Sequence, residues 1–297
     1  MSAGPSIIRK SGTTRSNLEL VHGLRDNFTA AKQDYSPNSN GDPSGAHHAR
    51  IARTPPELWT ERIGDTLFVP RIDWQSAGLR DDADQYEITV KLFLLEGAAL
   101  AQREAYVKEA LELVRKELAI ENIDLLVVSF PGMSFEGNCE WEADKINAQQ
   151  GNLEEEVETW KVFENLHRQG LVKRLGVAEF GSEKLRAFMD RTSVHPTVDQ
   201  INLKNCCSVP PPLKKLAADS GIELNVHTDC TDILPRGTLR ELLGPHGTAL
   251  LADTSSSDQG LKGEITPQWV VRYLAFVRDR GVIENKGYFA GAELLDN

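Results

Sequence analysis

Between residues 152 and 203 the chain switches repeatedly between two hydrophobic periods, and this constrains the fold more than any other stretch. Asn152 offers a side-chain acceptor just before a helix, with Glu155 three residues on to answer it. Val157, Trp160, Phe163 and Leu166 then recur every three residues and lay one apolar stripe along that helix. Gly170 ends it, because glycine takes the left-handed cap without steric cost. Residues 172–178 are short, apolar and rich in strand formers. Ser182 caps a second helix carrying Leu185, Phe188 and Met189, and residues 198–203 form another strand. Helix, strand, helix, strand with short connections predicts an α/β fold around a parallel sheet.

The same alternation extends in both directions. Residues 87–95 read as a strand, with Ile88, Val90, Leu92 and Leu94 on one face and Thr89, Lys91, Phe93 and Leu95 on the other. Residues 105–118 carry a helical stripe of Val107, Ala110, Leu111, Val114 and Leu118. Residues 124–130 are almost wholly apolar, as suits a strand covered on both faces. A helix over 213–219, a strand over 222–227 and a short helix over 239–243 follow. The apolar run 269–277 is expected to be a helix and Val282-Ile283 the last strand. Ser6-Ile7-Ile8 is a candidate first strand, and Pro55-Pro56 opens a helix. A length of 297 residues accommodates a (β/α)₈ barrel with insertions. The expected organisation is one barrel domain over 1–297 with a degenerate beginning. Flexible loops are expected at 29–53, 132–151 and 248–263, where apolar periodicity is missing.

The net charge of −11 argues against nonspecific nucleic-acid binding and against anionic membrane surfaces. No apolar run approaches a membrane-spanning length. No basic-then-apolar leader opens the sequence, so the expected location is the cytoplasm. The four cysteines are too few for a disulfide scaffold and lack zinc spacing. His47-His48 has no third ligand nearby, so no metal is expected.

Residues 160–180, including Gly170-Leu171-Val172-Lys173 and Leu175-Gly176-Val177-Ala178-Glu179-Phe180, resemble the helix–strand pattern of aldo-keto reductases. The resemblance is closer to a noncatalytic branch of that superfamily, the regulatory (modifier) subunits of glutamate–cysteine ligase. Val90-Lys91-Leu92-Phe93, Asp199-Gln200-Ile201-Asn202-Leu203, Cys206-Cys207 with Pro210-Pro211, and the run from Arg278 to Tyr288 carry it. It covers the chain from about Glu87 onward.

The resemblance implies a test. Reductases of this family use a tyrosine acid, a lysine that lowers its pKa, an aspartate paired with the lysine, and a histidine. General acid catalysis is worth about 10²–10⁴-fold, so loss of the acid removes most activity. Lys91 matches the lysine, and Ser129 stands where the histidine belongs. The nearest candidate for the aspartate is Asp73, but Gly78 stands where the tyrosine should follow. Ala178-Glu179 replaces the Ser-Asn pair that grips nicotinamide. Gln200 matches a glutamine contacting the same amide, His227 aligns with the stacking aromatic, and Lys286 falls in the phosphate-gripping segment. Lys91, Ser129, Gln200, His227 and Lys286 are therefore expected to be vestigial barrel-mouth positions, with no catalytic residue and no cofactor. Cys206 and Cys207 are candidates for a thiol contact with a partner.

The resemblance implies a non-enzyme that binds the glutamate–cysteine ligase catalytic subunit as a heterodimer. It would modulate glutamate use and glutathione feedback inhibition. Two alternatives remain open: a divergent NADPH-dependent reductase with an acid such as Tyr86, and a sensor keeping a degraded nucleotide pocket.

Overall fold

The computed structural model describes residues 1–5, 15–36, 54–203, 208–230, 232–252 and 260–295. In chain order the elements are β1 (Ser2–Pro5), α1 (Ser16–Asp34), α2 (Pro56–Trp59), β2 (Glu61–Ile63), β3 (Thr66–Phe68) and β4 (Tyr86–Leu94). Next come α3 (Arg103–Leu118), β5 (Ile123–Ser129), α4 (Glu140–Asn147), α5 (Leu153–Arg168), β6 (Val172–Ala178) and α6 (Ser182–Met189). The last are β7 (Val198–Asn202), α7 (Pro211–Ser220), β8 (Glu223–His227), α8 (Thr238–Leu243), β9 (Glu264–Val277) and β10 (Val282–Leu295).

Eight strands form one sheet in the order β1-β10-β9-β4-β5-β6-β7-β8, and β2–β3 is a separate hairpin. From β4 to β8 every pairing is parallel. Helices α3, α5, α6 and α7 lie between these strands in the sequence and return the chain to the start of the next strand, as parallel pairing requires. On the other side of β4 the sheet is antiparallel: β9 pairs with β4, β10 with β9, and β1 with β10. The α/β class is as expected, but the sheet departs from eight parallel barrel strands: the β/α repeat spans five of them, three pair antiparallel, and among the described residues β1 and β8 end the sheet without pairing to each other.

The start of α5 follows the sequence, whereas Ser182 is the first residue of α6, after Gly181, and its N–H and hydroxyl donate to Asp144 instead of capping the helix. Asn152 Oδ1 accepts from the N–H groups of Glu154 and Glu155 at 3.1 and 3.3 Å. The carboxylate that accepts the Asn152 N–H is that of Glu156, at 3.0 Å, one residue beyond the expected partner. Trp160, Phe163, Phe180 and Phe188 are fully buried where α5, the end of β6 and α6 meet. The Phe188 ring packs edge-on to Trp160 and Phe180, with centroids 5.1 and 5.2 Å apart. Such pairs add about 0.5–1.5 kcal/mol beyond area burial. They fix the β6–α6 junction, which carries Glu179.

Four expectations change. Residues 269–277 are a strand, not a helix. Trp269, Val271, Tyr273, Ala275 and Val277 alternate onto the face covered by α3, and Val270 turns into a second core on the opposite face with α1 and α8. Both faces are apolar, so helical and strand periods fit the run equally well. Residues 29–34 belong to α1, where Phe28 and Lys32 continue the buried stripe of Leu20 and Leu24. The stretch 132–151 contains α4, anchored by buried Ala143, Asp144 and Asn147. Leu250, Leu251 and Ala252 are buried, and Leu251 bridges Leu261, so the flanks of the third expected loop are tied down. The candidate strand at residues 6–8, the His47-His48 pair and Cys206-Cys207 lie outside the described residues.

A buried ionic network as the candidate functional site

Strand alternation turns Lys91 to the face opposite Val90 and Leu92. Register places Arg272 of β9 directly across from it. Like charges opposed across a ladder are unfavourable, and more so when buried. Lys91 is 2% exposed. The chain answers with Asp229, just past the end of β8. Lys91 Nζ donates to Asp229 Oδ2 at 2.9 Å. The Arg272 guanidinium grips the same carboxylate with two nitrogens, Nη1 to Oδ1 and Nη2 to Oδ2, the second at 3.0 Å. Lys91 also donates to Gln200 Oε1 of β7 at 3.1 Å.

Burial alone would raise the Asp229 carboxyl, but Lys91 and Arg272 outweigh it and hold the group well below the usual carboxylate range. Burial pushes the Lys91 ammonium down, against the pull of Asp229. For Arg272 the attraction of Asp229 exceeds the burial cost, and its pKa rises.

A second branch runs through the β6 and β8 ends. The Asp229 N–H donates to His227 Nδ1 at 3.1 Å, which puts the hydrogen of a neutral ring on Nε2. His227 Nε2 stands 2.7 Å from Glu179 Oε1, at an angle outside hydrogen-bond geometry. Glu179 has φ +65°, a left-handed backbone that a glutamate adopts at a cost of about 1–3 kcal/mol. It is held there from several sides. Its N–H donates to Gln200 O at 2.8 Å, its carbonyl accepts from Asn147 Nδ2 at 2.7 Å, and its Oε2 accepts from the Asn202 N–H at 3.3 Å. Asn202 Nδ2 in turn donates to Asp229 O at 2.8 Å. Below this sits Asp199, fully buried, with Oδ2 unpartnered. Burial, reinforced by the Glu179 charge, pushes its carboxyl well above the usual range.

A third branch leads outward along β10. Tyr288 interacts electrostatically with Arg272, and its hydroxyl donates to Glu19 Oε2 at 2.9 Å. Lys286 Nζ lies 2.5 Å from Glu19 Oε1. Burial is the largest cause of the raised Tyr288 pKa.

The structure therefore brings Lys91, Gln200 and His227 together and joins Lys286 to them through Glu19, Tyr288 and Arg272. Ser129 stands apart. It pairs with Phe93 at the ends of β5 and β4 and lines a cleft of about 390 Å³ with Glu96, Met133, Asp232 and Arg236. Asp73 forms an exposed turn with the Gln75 N–H and is no partner of Lys91. Tyr86 opens β4, and its hydroxyl donates to Glu284. Five residues of strand, about 17 Å, separate Tyr86 from Lys91, so it is not placed to supply an acid there.

Sequence reasoning missed Asp229, Arg272, Tyr288 and Glu19. Arg272 had a signal, as the one charge within the apolar run 269–277. Among the described residues no cluster of three or more His, Cys, Asp or Glu is arranged to hold a metal, and no helix is long and apolar enough to cross a membrane.

The parallel β/α units and an inward lysine at this strand position define a class. The aldo/keto reductase family model matches residues 74–241, more than half of the chain, and the chain belongs to that family. Within it, the chain is 28% identical over 215 residues to the putative glutamate–cysteine ligase regulatory subunit of Schizosaccharomyces pombe, covering 69% of this chain and 70% of that one. It is 24% identical over 213 residues to the Homo sapiens glutamate–cysteine ligase regulatory subunit, covering 72% and 68%. Deoxymugineic acid synthase 1-B of Triticum aestivum is 26% identical over 176 residues, covering 56% and 53%. Among solved structures, a Bombyx mori aldo-keto reductase in complex with NADP matches with TM-score 0.34 and 21% identity, over 47% of this chain and 40% of that one.

Proposed function

We propose that the chain is a noncatalytic regulatory subunit of glutamate–cysteine ligase. It binds the catalytic subunit in the cytoplasm, improves its use of glutamate and weakens feedback inhibition by glutathione. The observation that carries this reading is the double engagement of Asp229 by Lys91 and Arg272. A lysine that tunes a catalytic tyrosine must face that tyrosine. Lys91 instead donates to Gln200 and Asp229 and serves as a counter-ion in a closed network. Tyr288, the phenol within this network, has its pKa raised, the opposite of what a poised acid requires. The regulatory-subunit relatives support the same reading over about 70% of their length.

The residues present do not fit a nicotinamide dinucleotide. Glu179 puts a buried carboxylate where an amide grip is expected, and Lys286 is committed to Glu19. Negative charge at both places opposes an anionic ligand. Regulation without chemistry then requires tighter binding to one conformation of the catalytic subunit than to another; a fivefold change in glutamate affinity corresponds to about 1 kcal/mol of coupling.

The test is co-purification with the catalytic subunit, then glutamate titration of the ligase with and without this chain. A lower glutamate requirement is expected. Saturable NADPH binding with carbonyl turnover, and no effect on the ligase, would overturn the proposal in favour of a divergent reductase.

A further inference from the structure

The sheet ends on β8, which pairs only with β7 among the described residues. The pairing on that inner side dictates what the outer side offers. The Glu223 N–H donates to Thr197 O at 2.9 Å. A parallel ladder uses every second residue of a strand, so Asn225 and His227 also face β7. The N–H and C=O groups of Leu224 and Val226 therefore point away from the sheet. Val226 is 63% exposed, on the sheet face where Leu224 packs against the main core. An apolar, unpaired edge of this kind is a template for another strand.

We propose that this edge pairs with the same edge of a second copy of the chain, antiparallel, about a two-fold axis through Asn225. That register places Leu224 of each copy opposite Val226 of the other. Both are residues whose outward backbone groups have no partner among the described residues, and residues directly opposite in a hydrogen-bonded antiparallel pair exchange two bonds. The pairing makes four new backbone hydrogen bonds and two apolar Leu224–Val226 contacts on the face where Val226 is bare. Glu223 falls opposite His227 and Asn225 opposite its own copy, so no like charges are opposed. The contact is isologous and consumes the edge of both copies, so it closes at two. It is independent of the ligase reading.

Sedimentation velocity on the full chain at about 1–200 μM, a range suited to a short interface, tests this. The wild type is expected to approach twice the chain mass of 32.9 kDa as concentration rises. Val226→Pro removes only an outward N–H and leaves the bonds to β7 in place, the one setting where an edge strand tolerates proline. Val226→Lys adds a charge to an exposed side chain. Each should weaken association by about tenfold or more without shifting thermal unfolding of the monomer. A wild-type chain that stays monomeric, assembles beyond two, or dimerises equally well in both variants overturns the proposal. A monomeric wild type whose capture of the ligase catalytic subunit is lost in Val226→Pro would also overturn it, and would assign the edge to that partner.

Discussion

Asp229 is the residue on which the ionic network turns, and replacing it with asparagine isolates its charge. Asp229→Asn keeps the volume and one acceptor but leaves Lys91 and Arg272 facing each other across the β4–β9 ladder without a counter-ion. Breaking a buried pair from one side costs about 3–5 kcal/mol. Burial already pushes the Lys91 ammonium towards its neutral form, so the lysine can shed its proton and hold the loss near the lower figure. Urea unfolding at pH 7, with an unchanged denaturant slope, measures this. Lys91→Met should cost less, since Arg272 still holds the carboxylate. The double variant should be more stable than the two losses summed, by about 1–3 kcal/mol. The pH dependence has a definite sign. A carboxyl held below its unfolded value contributes stability above about pH 4, and this is lost as pH falls towards the folded value. Wild type and Asp229→Asn should therefore converge in acid. A loss at pH 7 below about 1 kcal/mol, the worth of a solvated surface pair, would refute a sealed network.

Asp199→Asn should act in the opposite pH direction. A carboxyl raised above its unfolded value favours the fold in acid and loses that contribution as pH rises, so the variant's urea midpoint should gain more on wild type at pH 8 than at pH 5. Ser129→His restores one reductase position on the cleft rim but supplies no tyrosine to Lys91, so NADPH-dependent carbonyl reduction should stay at background; robust turnover would show a competent cofactor site. Folded Lys91→Met should still bind the ligase catalytic subunit and lower its glutamate requirement; retained binding with lost regulation would mean that the buried ionic network itself signals. Gly291→Ala would drive a Cβ into the buried Trp269 ring, which should cost about 1–3 kcal/mol by calorimetry.

The legible parts of this fold are those whose local chemistry has one solution. Asn152 and Gly170 bound α5 because a cap acceptor and a left-handed stop suit few other conformations. The strand Tyr86–Leu94 was readable, and with it the inward side of Lys91. The run 269–277 was not, because Val270 and Val271 face different cores and erase the alternation. Its β-branched and aromatic content was the remaining hint. The network partners were illegible for a different reason. Asp229 sits in a connection after β8, Arg272 on β9 and Glu19 on α1, so only the tertiary fold brings them together. Lys91 could be picked out alone, but whether it faced a phenol or a carboxylate was a fact about distant segments.

The position of β4 also sets the order in which the chain can become stable on the ribosome. One of its edges is filled by β5, one helix later in translation. Its other edge waits for β9, which begins at Glu264, and β9 in turn needs β10. Until those last strands emerge, β4 presents a bare apolar edge and Arg272 has not arrived beside Lys91. Long-range pairing of this kind is slow and leaves nascent chains dependent on chaperones. A premature stop codon before residue 264 would therefore do more than shorten the molecule. It would leave one edge of β4 and all of β1 without a partner strand, and Asp229 without Arg272.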